Sequence, residues 1–150
     1  RGAVGGQAGG LSMMDLSIDD IVELARRAKR NGKPAIEDPH VREQLVDLIT
    51  EARGNGYMSA RTKVQALATD WPDAVSMSGK LRETELKRRM CQFAISLQGA
   101  NGARYVSPEA VDGGLWQRSY LNAFSGTIGG GTSQIQHNII GERVLGLPKS

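Results

Sequence analysis

Aromatic residues are scarce in this chain of 150 residues, which holds two Trp, three Tyr and two Phe. None is interleaved with basic residues, so a platform for stacking nucleic-acid bases is not expected. The formal net charge of +3 is small. Basic residues alternate with acidic ones except at Lys87-Arg88-Arg89, which reads as a solvated helix face rather than a nucleic-acid stripe. A single cysteine, Cys91, excludes an internal disulfide and suits a reducing compartment. With only two histidines beside it, His40 and His137, no zinc or iron–sulfur ligand set can be assembled. Apolar runs approaching about 18 residues are missing, as is a charged-then-apolar leader, so neither a membrane span nor a secretory leader is expected. Strand-like alternation is nearly absent too.

Glycine is abundant instead: 19 of 150 residues, roughly twice the usual share of about 7%. The length and the 39% hydrophobic share support one modest core. Helical periodicity dominates. Ser17 with Asp20 resembles a capping box, and Ile18, Ile21, Val22, Ala25 and Ala28 follow on one face, predicting a helix to about Arg30 that the run Asn31-Gly32-Lys33-Pro34 ends. Asp38-Pro39 reads as an N-cap followed by proline in the first helical position. Val41, Leu45, Leu48, Ile49 and Ala52 form the next stripe, continued by Ala60, Val64 and Leu67. On propensity alone Gly54-Asn55-Gly56 breaks that helix, since each glycine costs about 1 kcal/mol relative to alanine. A turn at Asp70-Trp71-Pro72-Asp73 precedes a third long helix, roughly Ala74 to Leu97, in which Leu86, Met90, Phe93 and Leu97 have the spacing of a bundle seam. Gly99-Ala100-Asn101-Gly102 stops it, and a further helix carries Val111, Leu115, Trp116 and Tyr120. The architecture is read as an all-α bundle of four or five helices. The opening Gly2, Gly5-Gly6 and Gly9-Gly10 fit either a closely packed helix or a flexible leader.

The richest segment is Gly129-Gly130-Gly131-Thr132-Ser133-Gln134, a glycine run that opens into a last helix with Ile135, Ile139 and Leu145 at near-helical spacing, closed by Gly146 and Pro148. Thr132 or Ser133 can cap that helix. A glycine turn before a helix N-terminus also lets an anion such as a phosphate approach free backbone N–H groups.

From about Ala123 to Pro148 the sequence closely resembles the C-terminal signature of acyl-CoA dehydrogenases, the flavoproteins that desaturate acyl-CoA thioesters. Leu97-Gln98-Gly99-Ala100-Asn101-Gly102 is similar to the Gly-Gly-x-Gly turn after the third long bundle helix of that family. The resemblance implies an antiparallel four-helix bundle over 1–150, with Gly54 and Gly56 inside one long helix, and the family's N-terminal helical and middle β domains absent from this chain. It also implies FAD as cofactor and an acyl-CoA substrate. Thr132, Ser133 and Gln134 match a triplet that contacts the flavin nucleotide, plain helix capping being the alternative. Ser96 to Ala100, including Gly99, matches a stretch that reaches the FAD of a neighbouring subunit, with Ser96 where relatives have glutamine and Gln98 close by; a helix stop is the other reading of Gly99. Arg30 or Arg27 stands near a family arginine that bonds the diphosphate, its own place being taken by Ala28; an exposed solvating arginine is the alternative.

The base that removes the α proton is often a glutamate just before the Gly-Thr of the loop, and that place is Gly130. Some branches place it in a Glu-Arg pair at the start of the first bundle helix, so Arg1 is read as the second half of that pair, with the base immediately before it. Arg1, Gly130 and Gly131 are therefore expected beside the substrate, and no catalytic or metal-binding residue is assigned within the chain. A homodimer, homotetramer or heteromeric dehydrogenase, electron-transfer flavoprotein as electron acceptor, and bacterial cytoplasm ahead of the mitochondrial matrix complete the expectation. The alternatives are a non-catalytic oligomerisation or partner-subunit module and an acyl-CoA oxidase. His40 and His137 are expected at the surface, and Cys91 as a small packing residue.

Overall fold

The computed structural model describes residues 16–64 and 73–149, apart from the side chains of 73–76. Helix α1 (Ile18–Arg27) begins at the expected capping box: Ser17 N–H donates to Asp20 Oδ2 at 2.7 Å, and Asp20 N–H returns to Ser17 Oγ at 3.4 Å. It ends three residues before Arg30. Asn31 and Gly32, at φ 52° and 78°, form the tight turn of a two-residue hairpin, β1 (Lys29–Arg30) antiparallel to β2 (Lys33–Pro34). Asn-Gly is suited to both left-handed positions of such a turn. The pair therefore makes a hairpin rather than a helix cap, and Arg30 lies on a strand.

Helix α2 (Pro39–Arg61) starts with Asp38 accepting from the N–H groups of His40 and Val41, and Pro39 in its first turn. It runs unbroken through Gly54 and Gly56. Val41, Leu45 and Leu48 are buried, and Ile49 and Ala52 pack against the same core. Beyond Ala52 the stripe fails, because Ala60 and Val64 are exposed; Leu67 lies outside the described residues. The first three residues of the expected turn at 70–73 also lie outside them.

Helix α3 (Asp73–Leu97) is the centre of the fold, with α1, α2, α4 (Leu115–Ile128) and α5 (Ser133–Arg143) all packing on it. Leu86, Met90, Phe93 and Leu97 are all buried, as the spacing requires. Val111 falls in a short 3-10 turn rather than in α4. Asp112 and Gly113, at φ 49° and 60°, break the helical path there, and Asp112 Oδ2 accepts from Trp116 Nε1 at 2.7 Å. Trp116 is one of the most deeply buried side chains. Helix α5 stops at Arg143, so Leu145 lies past it, and Ile135 and Leu145 are 50% and 66% exposed. Among the described residues the architecture is helical apart from the two-residue hairpin, and no helix is long and apolar enough to cross a membrane.

Candidate functional site

The glycine loop joins α4 to α5. Gly130 and Gly131 have φ of 69° and 102°, a region that L side chains rarely adopt. A Cβ at Gly130 would meet nothing within 4 Å, so its conformation, not its space, calls for glycine. At Gly131 it would lie 3.0 Å from Gln136 Nε2. Thr132 caps α5, its Oγ1 accepting from Ile135 N–H at 3.3 Å. Two loop carbonyls are held by side chains: Gln136 Nε2 donates to Gly130 O at 2.7 Å, and Lys80 Nζ donates to Gly131 O at 2.5 Å. Ser133 Oγ donates to Glu85 Oε1 at 2.5 Å.

Glu85 also receives Nε and Nη2 of Arg88 at 3.3 and 3.2 Å. The Ser133 hydroxyl above all, helped by Arg88, holds its carboxyl below the usual range despite the opposing effect of burial. The backbone N–H groups of Thr132, Ser133 and Gln134 have no acceptor among the described residues. Three free donors at the positive end of an 11-residue helix, beside a loop without side chains, suit an anionic group such as a flavin diphosphate. The residues present therefore fit a phosphate-bearing group at this helix end.

A second group of expected contacts lies elsewhere on α3. Gly99, at φ 56°, ends the helix; Ser96 is exposed, with its Oγ on Phe93 O at 2.7 Å. Ser96 and Gly99 line a pocket of ≈ 450 Å³ together with Lys29, Arg30, His40 and Gln44. Ala100 follows, exposed, on the next 3-10 turn. Gln98 is turned away: it is buried, its Nε2 on Ala94 O at 3.2 Å and its Oε1 receiving Gln117 Nε2 at 3.0 Å. Arg30 and Arg27 are both exposed, and each is ion-paired at the surface. Arg30 Nε is 3.1 Å from Asp38 Oδ2, and Arg27 pairs with both oxygens of Asp112 at 3.1 and 2.9 Å. From Glu85 to Ser96 the helix rises about 16 Å, so the structure brings Thr132, Ser133 and Gln134 together at one place and Arg30, Ser96 and Gly99 at another.

Gly130 carries no carboxylate, and Glu142 lies near the far end of α5. Arg1 and the residues around it lie outside the described part of the chain. His40 and His137 are exposed, His40 Nδ1 being 3.8 Å from Glu43. Cys91 is 2% exposed, and burial pushes its thiol pKa up. Lys87 and Arg89, read from sequence as solvated, reach Leu16 O and Glu51 respectively. No group of metal-ligating side chains occurs among the described residues. Lys80 and Glu85, which tie the loop to α3, were not singled out in the sequence. They are ordinary charges on a helix, about fifty residues from the loop, and only the packing of α3 against α5 brings them there.

The family model described as "Acyl-CoA dehydrogenase, C-terminal domain" matches residues 1–145. The chain is 36% identical over 133 residues to a protein named acyl-CoA dehydrogenase IpdE1 from Mycobacterium tuberculosis, covering 88% of this chain and 32% of that protein. It is 39% identical over 133 residues to the protein of the same name from Mycolicibacterium smegmatis, covering 87% and 30%. Among solved structures, a Tcur3481-Tcur3483 steroid ACAD superposes with a TM-score of 0.72 at 25% identity, over 92% of this chain and 35% of that one. The ChsE4-ChsE5 complex from Mycobacterium tuberculosis shares the fold, with a TM-score of 0.71 at 24% identity over 89% of this chain and 35% of that one. The chain thus spans about a third of the length of the relatives it matches.

Proposed function

The chain belongs to the acyl-CoA dehydrogenase family, matching its C-terminal domain, and from that premise we propose that it forms one wall of a flavin and thioester site in an α,β-desaturating dehydrogenase. The observation that carries this reading is the junction at Gly130–Gln134, where the backbone N–H groups of Thr132, Ser133 and Gln134 have no acceptor among the described residues. Thr132, Ser133 and Gln134 would hold the FAD nucleotide there, and Arg30, Ser96, Gly99 and Ala100 would meet a neighbouring subunit's flavin. FAD, when bound, supplies the acceptor for the hydride that leaves the β carbon. The α proton needs a carboxylate within reach. Glu85 is unsuited to that work, because Ser133 and Arg88 keep it ionised and weakly basic. We place the base before Arg1, with Arg1, Gly130 and Gly131 beside the thioester; Gly130, without a side chain, leaves room there.

Apolar side chains support a role in assembly. Leu121, Phe124 and Ile128 on α4 are 59%, 40% and 64% exposed, and Leu145 and Leu147 are exposed nearby in sequence. Such surface favours packing against further domains or subunits, in a homodimer, homotetramer or heteromeric dehydrogenase. The ChsE4-ChsE5 complex and the Tcur3481-Tcur3483 steroid ACAD, each named for two proteins, favour the heteromer. A partner subunit without its own base is the second reading, favoured by Gly130. The steroid ACAD among the relatives points to a ring-bearing acyl-CoA substrate. The mycobacterial relatives point to a bacterial cytoplasm, with electron-transfer flavoprotein rather than oxygen taking the electrons. Full-length protein purified with flavin should be yellow and should bleach on addition of acyl-CoA under anaerobic conditions. Failure to bind flavin after reconstitution removes the dehydrogenase reading in favour of the assembly module.

A further inference from the structure

Three consecutive glycines make the least self-determined backbone in the chain, since glycine has the most conformational freedom to lose. Within the loop, Gly129 N–H bonds to Ser125 O at 2.7 Å and Gly131 N–H to Ile128 O at 3.2 Å. These fix its entry from α4. Its exit into α5 is held locally by the Thr132 cap and by Gln136 on the Gly130 carbonyl, and from outside by Lys80 on the Gly131 carbonyl and Glu85 on the Ser133 hydroxyl. In a trans peptide the C=O and the following N–H point in opposite directions. With the Gly131 oxygen drawn to Lys80 on α3, the Thr132 N–H of the same peptide is turned away from α3, toward the side where it has no partner. A cation beside a helix N-terminus opposes the helix dipole. Glu85 on Ser133, itself flanked by Arg88, places the compensating negative charge at the same helix end.

We propose that Lys80 and Glu85 are positioning residues for the glycine loop: Lys80 orients the Gly131–Thr132 peptide and Glu85 holds Ser133, so that α3, not the loop itself, aims the N–H groups of Thr132, Ser133 and Gln134. This rests on the flavin reading only for what those groups meet; the clamp itself is independent of it. Lys80→Met keeps the aliphatic stem and removes the donor. Lys80→Arg keeps a donor.

In the intact protein, Lys80→Met should speed hydrogen exchange at the two bonded amides of 130–135, Gly131 and Ile135, by about tenfold, the low end for losing a hydrogen bond to a charged group, while exchange in 39–52 stays unchanged. Lys80→Arg should restore most of the protection. In the flavin-loaded protein, Lys80→Met should weaken FAD binding by a similar factor and shift the visible flavin spectrum, and Lys80→Arg should reverse both. Should Lys80→Met fail to fold, Glu85→Gln provides the same readouts with smaller expected changes. Unchanged exchange at Gly131 and Ile135 overturns the clamp whatever happens to flavin. Faster exchange with FAD affinity and spectrum unmoved overturns the aiming role. Wild-type protein that never binds flavin removes the functional reading and leaves the exchange experiment to decide the clamp.

Discussion

At the turn after α3, a Cβ on Gly102 would lie 2.7 Å from the Ile95 carbonyl oxygen, and Gln117 Nε2 bridges the Gly102 carbonyl to Gln98 in a buried network. At the loop before α5, a Cβ on Gly130 would meet nothing within 4 Å, yet the backbone there stands at φ 69°. The first glycine is present because the interior leaves no space. The second is present because the chain takes a left-handed turn between α4 and α5. One sequence feature, a glycine cluster after a helix, thus answers to packing in one place and to backbone conformation in the other, and only the surroundings tell them apart.

The largest effect should come from the packed turn. Gly102→Ala pushes a methyl into backbone that cannot move aside and should cost about 3 kcal/mol of stability, at the upper end for overpacking; urea denaturation checks it. A loss under about 1 kcal/mol would show the turn to be loose and would break the contrast. Gln117→Leu should cost about 2 kcal/mol, because it leaves the Gln98 and Gly102 oxygens buried without their donor.

Gly130→Ala should cost only about 1 kcal/mol, from the left-handed φ alone. Gly130→Asn should cost less, since asparagine tolerates that region better. If alanine there cost as much as at Gly102, space rather than conformation would be limiting at both sites.

Much of the bundle was legible in the sequence, because it rests on local signals. Ser17 and Asp20 box the start of α1, Asp38-Pro39 starts α2, and the Leu86–Leu97 seam is buried throughout. Gly54 and Gly56 read as a break on propensity; the structure carries α2 through them, both exposed, on a helix anchored by Val41, Leu45 and Leu48. Asn31-Gly32 was misread as a helix stop because hairpin and cap use the same residues, and which forms depends on Lys33 finding Arg30. The expectation of flavin contacts at 132–134 came from resemblance alone, whereas the capping of α5 by Thr132 came from local pattern and is what the structure shows. Long-range partners were invisible: Lys80 with Gly131, Gln98 with Gln117, and Arg27 with Asp112 join charges and amides that sequence spacing cannot pair.

The smallest predicted effect belongs to that last pair. Arg27 holds the Asp112 carboxyl below its ordinary 3.8, with Trp116 adding a second bond. A carboxyl lowered in the folded state adds stability that is present above its unfolded pKa and lost as pH falls through the folded value. Arg27 is 54% exposed on its side chain, so Arg27→Ala should cost under about 1 kcal/mol at neutral pH. The gap from the parent should narrow below about pH 4. A gap that widens in acid would assign the effect to another group.

On the proposed function, the start of α5 faces a flavin nucleotide. Amide hydrogen exchange of the full-length protein with and without FAD decides this. Protection gained at Thr132, Ser133 and Gln134, with the Gln117-bridged turn at Gly102 unchanged, is the predicted result. FAD bound with those three amides exchanging as before would contradict it.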